Sequence, residues 1–152
     1  MTIDLMEPFT EGAREMLSIM LGLECGHHSI TGDPQAQVLA GYMDLVGAVK
    51  GRLVLSFTRD DATRFVGEML AMESEEIDDE ILGDGVGEMV NIVAGVAKAR
   101  LSATPHAFDL TVPGVVFGES LVAGLTEVGA PVSENVKTDI GEFMVSVWFD
   151  DG

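Results

Sequence analysis

The chain has 152 residues, enough for one domain with a substantial core, and 47% of them are hydrophobic, which excludes a disordered chain. Eight Lys and Arg against 26 Asp and Glu leave a formal charge of −18. That balance argues against nucleic acid, whose binding needs cations to displace counterions, and against an anionic membrane surface. A partner with a basic patch would be attracted, chiefly through faster association, and the plain alternative is that the acidity only keeps the chain soluble.

No apolar leader follows basic residues at the start, and no apolar run is long enough to cross a bilayer. With a lone Cys25, which excludes an internal disulfide, this leads to the expectation of a cytoplasmic protein. Cys25, His27 and His28 stand together, but no second Cys/His cluster completes four ligands, and no metal is expected on them.

In chain order, Phe9, Ala13, Met16, Leu17 and Met20 recur at helical spacing and predict a helix over 8–23, with Pro8 tolerated at its start. Gly26–Pro34 reads as a loop. Ala36–Val49 and Gly51–Thr58 read as strands meeting at Lys50-Gly51, with Leu53, Leu55 and Phe57 alternating with Arg52, Ser56 and Thr58. Asp60 or Asp61 is expected to cap a helix reaching Met72, with Ala62, Phe65, Val66, Met69 and Leu70 on its inner side.

The acidic stretch Glu73–Glu80 leads into a long helix from Ile77 or Asp79 to Ser102, ended by Pro105. His106–Phe117 reads as a strand interrupted at Pro113-Gly114, a sign of an edge or bulge. Strands are expected at Ser120–Thr126 and Gly141–Phe149, with a polar turn over Gly129–Asp139, part of which could extend the last strand. The fold class is α+β, an antiparallel sheet packed with helices. The lack of strand–helix–strand alternation argues against a doubly wound nucleotide fold, and Gly83, Gly85 and Gly87 lack the strand and the Lys-Ser/Thr of a phosphate loop. No Gly-x-Ser-x-Gly elbow supports a serine hydrolase.

Within the long helix, Asp84, Glu88, Asn91, Gly95 and Lys98 fall on one narrow stripe, while the remainder is largely Val, Ile, Met, Ala and Leu. Asn is a mediocre helix former, so Asn91 in mid-helix asks for a reason. An ordinary solvated stripe is the plain alternative.

Offset by about 73 residues, Glu11-Gly12, Glu15, Ser18 and Gly22 echo Asp84-Gly85, Glu88, Asn91 and Gly95, with Ser18 replacing the amide. A second echo relates Gly51–Asp61 to Gly141–Asp151. One domain spanning 1–152, built from pseudo-repeats at about 8–60 and 80–152, is the expectation. The two repeat helices are expected to pack through Gly22 and Gly95.

The pattern Asp84-x-x-x-Glu88-x-x-Asn91, followed by a strand with Pro113, resembles the CheC/CheX/FliY family of bacterial chemotaxis phosphatases, and its CheX members most. The likeness takes in the opening helix ending in Leu21-Gly22-Leu23-Glu24, the strand pair before Thr58, and Phe108–Pro113. Pro113 stands one residue earlier than the family's usual spacing.

The resemblance implies hydrolysis of the aspartyl phosphate on the response regulator CheY, with Mg²⁺ held by that regulator and no cofactor on this chain. Asn91 would position the attacking water, as a glutamine does in small GTPases. Glu88 would dock on a lysine beside the phosphorylation site. Asp84 either reinforces that docking or simply favours the positive start of the helix dipole, and Lys98 is either a further partner contact or a solvated charge. A homodimer through sheet edges and a CheD-like modulator belong to the same family picture. Two readings stand beside it: a non-catalytic module binding a receiver domain or flagellar-switch component, and a structural part of a motor or pilus assembly.

Overall fold

The computed structural model describes residues 6–23, 27–29, 37–126 and 131–150. Among the described residues, seven strands form one antiparallel sheet: β1 (His27–Ser29), β2 (Leu39–Gly47), β3 (Lys50–Phe57), β4 (Phe108–Leu110), β5 (Gly114–Phe117), β6 (Val132–Lys137) and β7 (Glu142–Asp150). They run in the order β1-β6-β7-β3-β2, and β4 and β5 share the free side of β2. In the central pair the register sets Leu53 against Val147 and Leu55 against Val145.

Three helices cover one face: α1 (Glu7–Leu21), α2 (Arg59–Leu70) and α3 (Asp79–Leu101). Alternation turns Leu53, Leu55 and Phe57 of β3 and Phe143, Val145 and Val147 of β7 inward, where all are buried. Phe57 and Phe143 stack at 5.4 Å between ring centroids, and Phe65 of α2 meets Phe143 edge-on at 5.5 Å. On the other face a short helix, α4 (Glu119–Gly124), covers Ala40 and Val54 with Val122 and Leu125.

The long helix ends as the sequence requires. The Asp78 carboxylate accepts from the Ile81 N–H at 2.9 Å, Asp79 and Glu80 occupy the positive first turn, and Lys98 and Arg100 the negative last turn. Gly22 closes α1 in the left-handed conformation (φ 64°), its N–H donating to the Ser18 carbonyl at 3.1 Å.

Several expectations are corrected. Thr58, not Asp60 or Asp61, caps α2, its hydroxyl accepting from the Asp61 N–H at 3.2 Å. Leu70 is 46% exposed rather than inward. Within the stretch expected as a strand over Ser120–Thr126 lies α4, whose single turn and a half is too short for its spacing to be told from alternation. The expected polar turn holds β6, a strand in which Val132 and Val136 flank Ser, Glu and Asn, and pairing to β7 and β1 carries these polar residues into the ladder.

Proline splits the expected strand over 106–117 into β4 and β5. The strand expected over 36–49 is confined to Leu39–Gly47, and His27–Ser29 of the expected loop is β1. Cys25 and most of Gly26–Pro34 lie outside the described residues.

The helix pairing is also corrected. Neither Gly22 nor Gly95 lies at the contact; Gly12 does, and a Cβ there would sit 2.5 Å from the Val93 carbonyl oxygen of α3. Gly85 does the same work against α2, where a Cβ would fall 2.6 Å from Val66 Cγ2. Both positions need hydrogen in place of a side chain because two helices meet there.

Candidate functional site

Helices α1 and α3 run antiparallel, so that Arg100 near the end of α3 reaches Glu7 (3.9 Å) and Glu11 (3.6 Å) near the start of α1. The pair buries Ala13, Met16 and Leu17 against Met89, Val93 and Ala97. That packing fixes which side of α3 is left over. Asp84, Glu88, Asn91, Gly95 and Lys98 are all exposed, as the stripe predicts. With a rise of about 1.5 Å per residue, Asp84 stands about 6 Å from Glu88 along the axis, and Glu88 about 4.5 Å from Asn91.

Most charged groups around the stripe are engaged. Lys98 pairs with Asp109 at 3.4 Å, Arg100 with Glu7 and Glu11, and Arg59 with Asp79 across the start of the helix. Among the described residues, no hydrogen bond or ion pair engages the side chains of Asp84, Glu88 or Asn91. Two carboxylates and a carboxamide therefore face outward in sequence, with no cation among the described residues bound to them. Such a group set suits a cationic contact and an ordered water, since the amide offers two donors and an acceptor without needing to ionise.

The surface is concave on both sides of this tract. Toward the N-terminal half of α3 an apolar cleft of about 370 Å³ has Met20, Met69, Leu70 and Ile81 as walls and Asp84 and Glu88 on its rim. Beyond Asn91 a shallower one of about 590 Å³ is lined by Glu15, Ile92, Gly95, Val96, Ala99 and Arg100. A further concavity of about 800 Å³ lies between α2 and the Asp139-Ile140 turn and contains none of the stripe residues.

Sequence reasoning missed Leu70 as part of this surface and Arg100 as the link between the helices. The period of α2 placed Leu70 inside; Met69, also expected inside, does pack against the core while lining the cleft. The signal for Arg100 was its spacing of two residues from Lys98, which turns it to the α1 side of the helix.

In α1 the corresponding stripe is differently used. Glu11 is held by Arg14 and Arg100, at 3.9 and 3.6 Å, while Glu15 and Ser18 are exposed. Ser18 offers a hydroxyl where Asn91 offers an amide.

The sequence matches the model of the family described as chemotaxis phosphatase CheX over residues 39–131, a span that contains Asp84, Glu88, Asn91 and Pro113. It is 31% identical over 84 residues to the CheY-P phosphatase CheX of Thermotoga maritima, an alignment covering 55% of this chain and 54% of that relative's length. Among solved structures, a CheC-like superfamily protein from Shewanella sp. PV-4 is 27% identical with a TM-score of 0.78, covering 99% of both chains. The CheX of the CheX–CheY–BeF3–Mg²⁺ complex from Borrelia burgdorferi, 23% identical, shares the fold with a TM-score of 0.79 over 99% of this chain and 100% of that one. With its sheet, its helix order and the matched span in agreement, this chain belongs to the CheX family of chemotaxis phosphatases.

Proposed function

We propose that this protein hydrolyses the aspartyl phosphate of a CheY-type receiver domain, and that it does so by positioning a water rather than by covalent catalysis. The observation that carries the reading is Asn91: an exposed mid-helix carboxamide with no partner among the described residues, one turn from an equally unpaired Glu88. A curated relative of the same family is a CheY-P phosphatase, and a structural relative is recorded in complex with CheY.

The chemistry asks little of the chain. An acyl phosphate is already reactive, and Mg²⁺ held by the receiver supplies neutralisation of the phosphoryl oxygens. The Asn91 amide hydrogen-bonds a water in line with phosphorus. Oxygen of that water bonds to phosphorus as the bond to the aspartyl carboxylate breaks, releasing inorganic phosphate and a free carboxylate. Glu88 pairs with a lysine of the receiver and sets the angle at which α3 enters, with Asp84 extending the acidic face. A base role suits Glu88 poorly, because its charge beside a phosphoryl group would be repelled. Lys98 is tied to Asp109 at the far end of the stripe.

The same reading includes the duplicated unit. Leu55 and Val145, equivalent residues of the echo, face each other in the central strand pair, and the echoed helices run antiparallel. It includes pairing of two copies through sheet edges, which sedimentation of the purified protein checks.

The test is the decay of phosphorylated CheY from the same organism with wild-type protein and with Asn91→Ala. Acceleration by the wild type that the variant loses supports the phosphatase. A stable complex with unchanged decay would instead make this a binding module.

A further inference from the structure

Four glycines interrupt the helical run of α3, and three of them have neighbours within the chain. Gly85 is pressed against Val66 of α2, and Gly83 and Gly87 stand over Phe117 and Val115 of β5, where a Cβ would meet atoms at 3.6–3.7 Å. Gly95 has none: among the described residues nothing lies within 4 Å of a Cβ built on it, and its backbone has no left-handed φ. Glycine in a helix interior is destabilising relative to alanine, so a mid-helix glycine without an internal neighbour, unlike one at a helix end such as Gly124, leaves room for an external one.

The surroundings give that neighbour a direction. Gly95 is one turn, about 6 Å, past Asn91 on the same exposed stripe. It forms part of the floor of the cleft that Ile92 and Val96 line and that Glu15 and Arg100 bound.

We infer that Gly95 is a clearance position: it lets the backbone of the phosphorylated receiver domain come close to α3, so that the Asn91 amide reaches the water at phosphorus. This rests on the phosphatase reading and specifies how the partner is seated. Gly95 touches no reacting atom; it is a positioning residue that acts through the distance between two backbones. A side chain there props the receiver away, loosening binding and lengthening the gap that Asn91 must span.

The experiment compares Gly95→Ala and Gly95→Leu with wild type, and uses Gly124→Ala as a control at another glycine whose Cβ would meet nothing, on α4. Affinity is measured for CheY from the same organism held in its active form with BeF3 and Mg²⁺, and turnover with the phosphorylated form. Gly95→Ala is expected to raise the melting temperature by about 2–4 °C. It should weaken binding severalfold, and Gly95→Leu should weaken it by at least tenfold with a raised KM, while Gly124→Ala leaves both unchanged. Gly95 variants that bind like wild type overturn the inference, whether or not Asn91→Ala abolishes turnover. A wild type that binds but accelerates nothing ends the phosphatase reading, yet a loss of affinity in Gly95→Leu would still support close approach at this position.

Discussion

Helices α1 and α3 carry echoes of one stripe, lie side by side, and use it in different ways. In α1 the first acid, Glu11, is held by Arg100 from the opposite helix and by Arg14, and Glu15 lines a cleft with the same Arg100. In α3 the matching acids, Asp84 and Glu88, have no cation among the described residues on them, and an amide follows where α1 has a hydroxyl. Charges already satisfied inside the molecule bind the helices to each other, weakly as exposed pairs do. Charges left unsatisfied are available to another molecule. The difference between two similar segments therefore lies less in which acids are present than in where Arg100 points.

The sharpest way to break the comparison is to remove the amide from the side that has it. Asn91→Ala should lose about 100-fold or more of the acceleration of receiver dephosphorylation, the scale seen when one positioned hydrogen-bonding group is deleted from a reaction centre. The fold should persist, since Asn91 is exposed and alanine is the better helix former by about 0.5 kcal/mol. Phosphate release and thermal melting measured on the same sample separate the two effects.

Next comes the contact between the helices. Gly12→Val would force a branched side chain onto the Val93 carbonyl, and is expected to cost about 1–3 kcal/mol, read as a fall in the denaturant midpoint. A neutral outcome would mean that α1 can slide on α3, and with it that the outward aim of Asn91 is not fixed by this packing.

Glu88→Lys should weaken association with the phosphorylated receiver about tenfold and flatten its salt dependence, with a smaller effect on turnover at saturation. Unchanged affinity would move the docking charge to Asp84.

The long helix was legible because a 23-residue element shows its period many times over, and because a polar residue on an otherwise apolar run has few explanations. Its exposed stripe follows from that period alone. Tertiary partners hid the rest. Nothing local distinguishes Gly12, which a carbonyl crowds, from Gly22, which ends a helix, or from Gly95, which faces outward. The segment Val132–Lys137 is polar enough for a turn and becomes a strand only because β7 offers it a ladder. Glu134 is drawn into that strand's inner side, where Thr10 of α1 donates to it at 3.0 Å. Thr58 was overlooked as a cap because two aspartates beside it are equally good cap formers, and only the chain direction at the end of β3 chooses among them.

The smallest effect is the most informative about the comparison. Ser18→Ala should change dephosphorylation by less than about twofold, since a serine hydroxyl can hold a water but lacks the reach of the amide. Electrostatics point the same way. A receiver lysine approaching Glu15 would meet Arg100 on the same cleft, whereas one approaching Glu88 meets only acids on the rim of the other. For that reason restoring the amide alone, in Ser18→Asn on the Asn91→Ala background, should recover little activity. Removing the cation as well, with Arg100→Ala, should recover more if the two stripes differ in the way argued. Activity returning fully with Ser18→Asn alone would show that the amide is the whole distinction and that the placement of Arg100 is incidental.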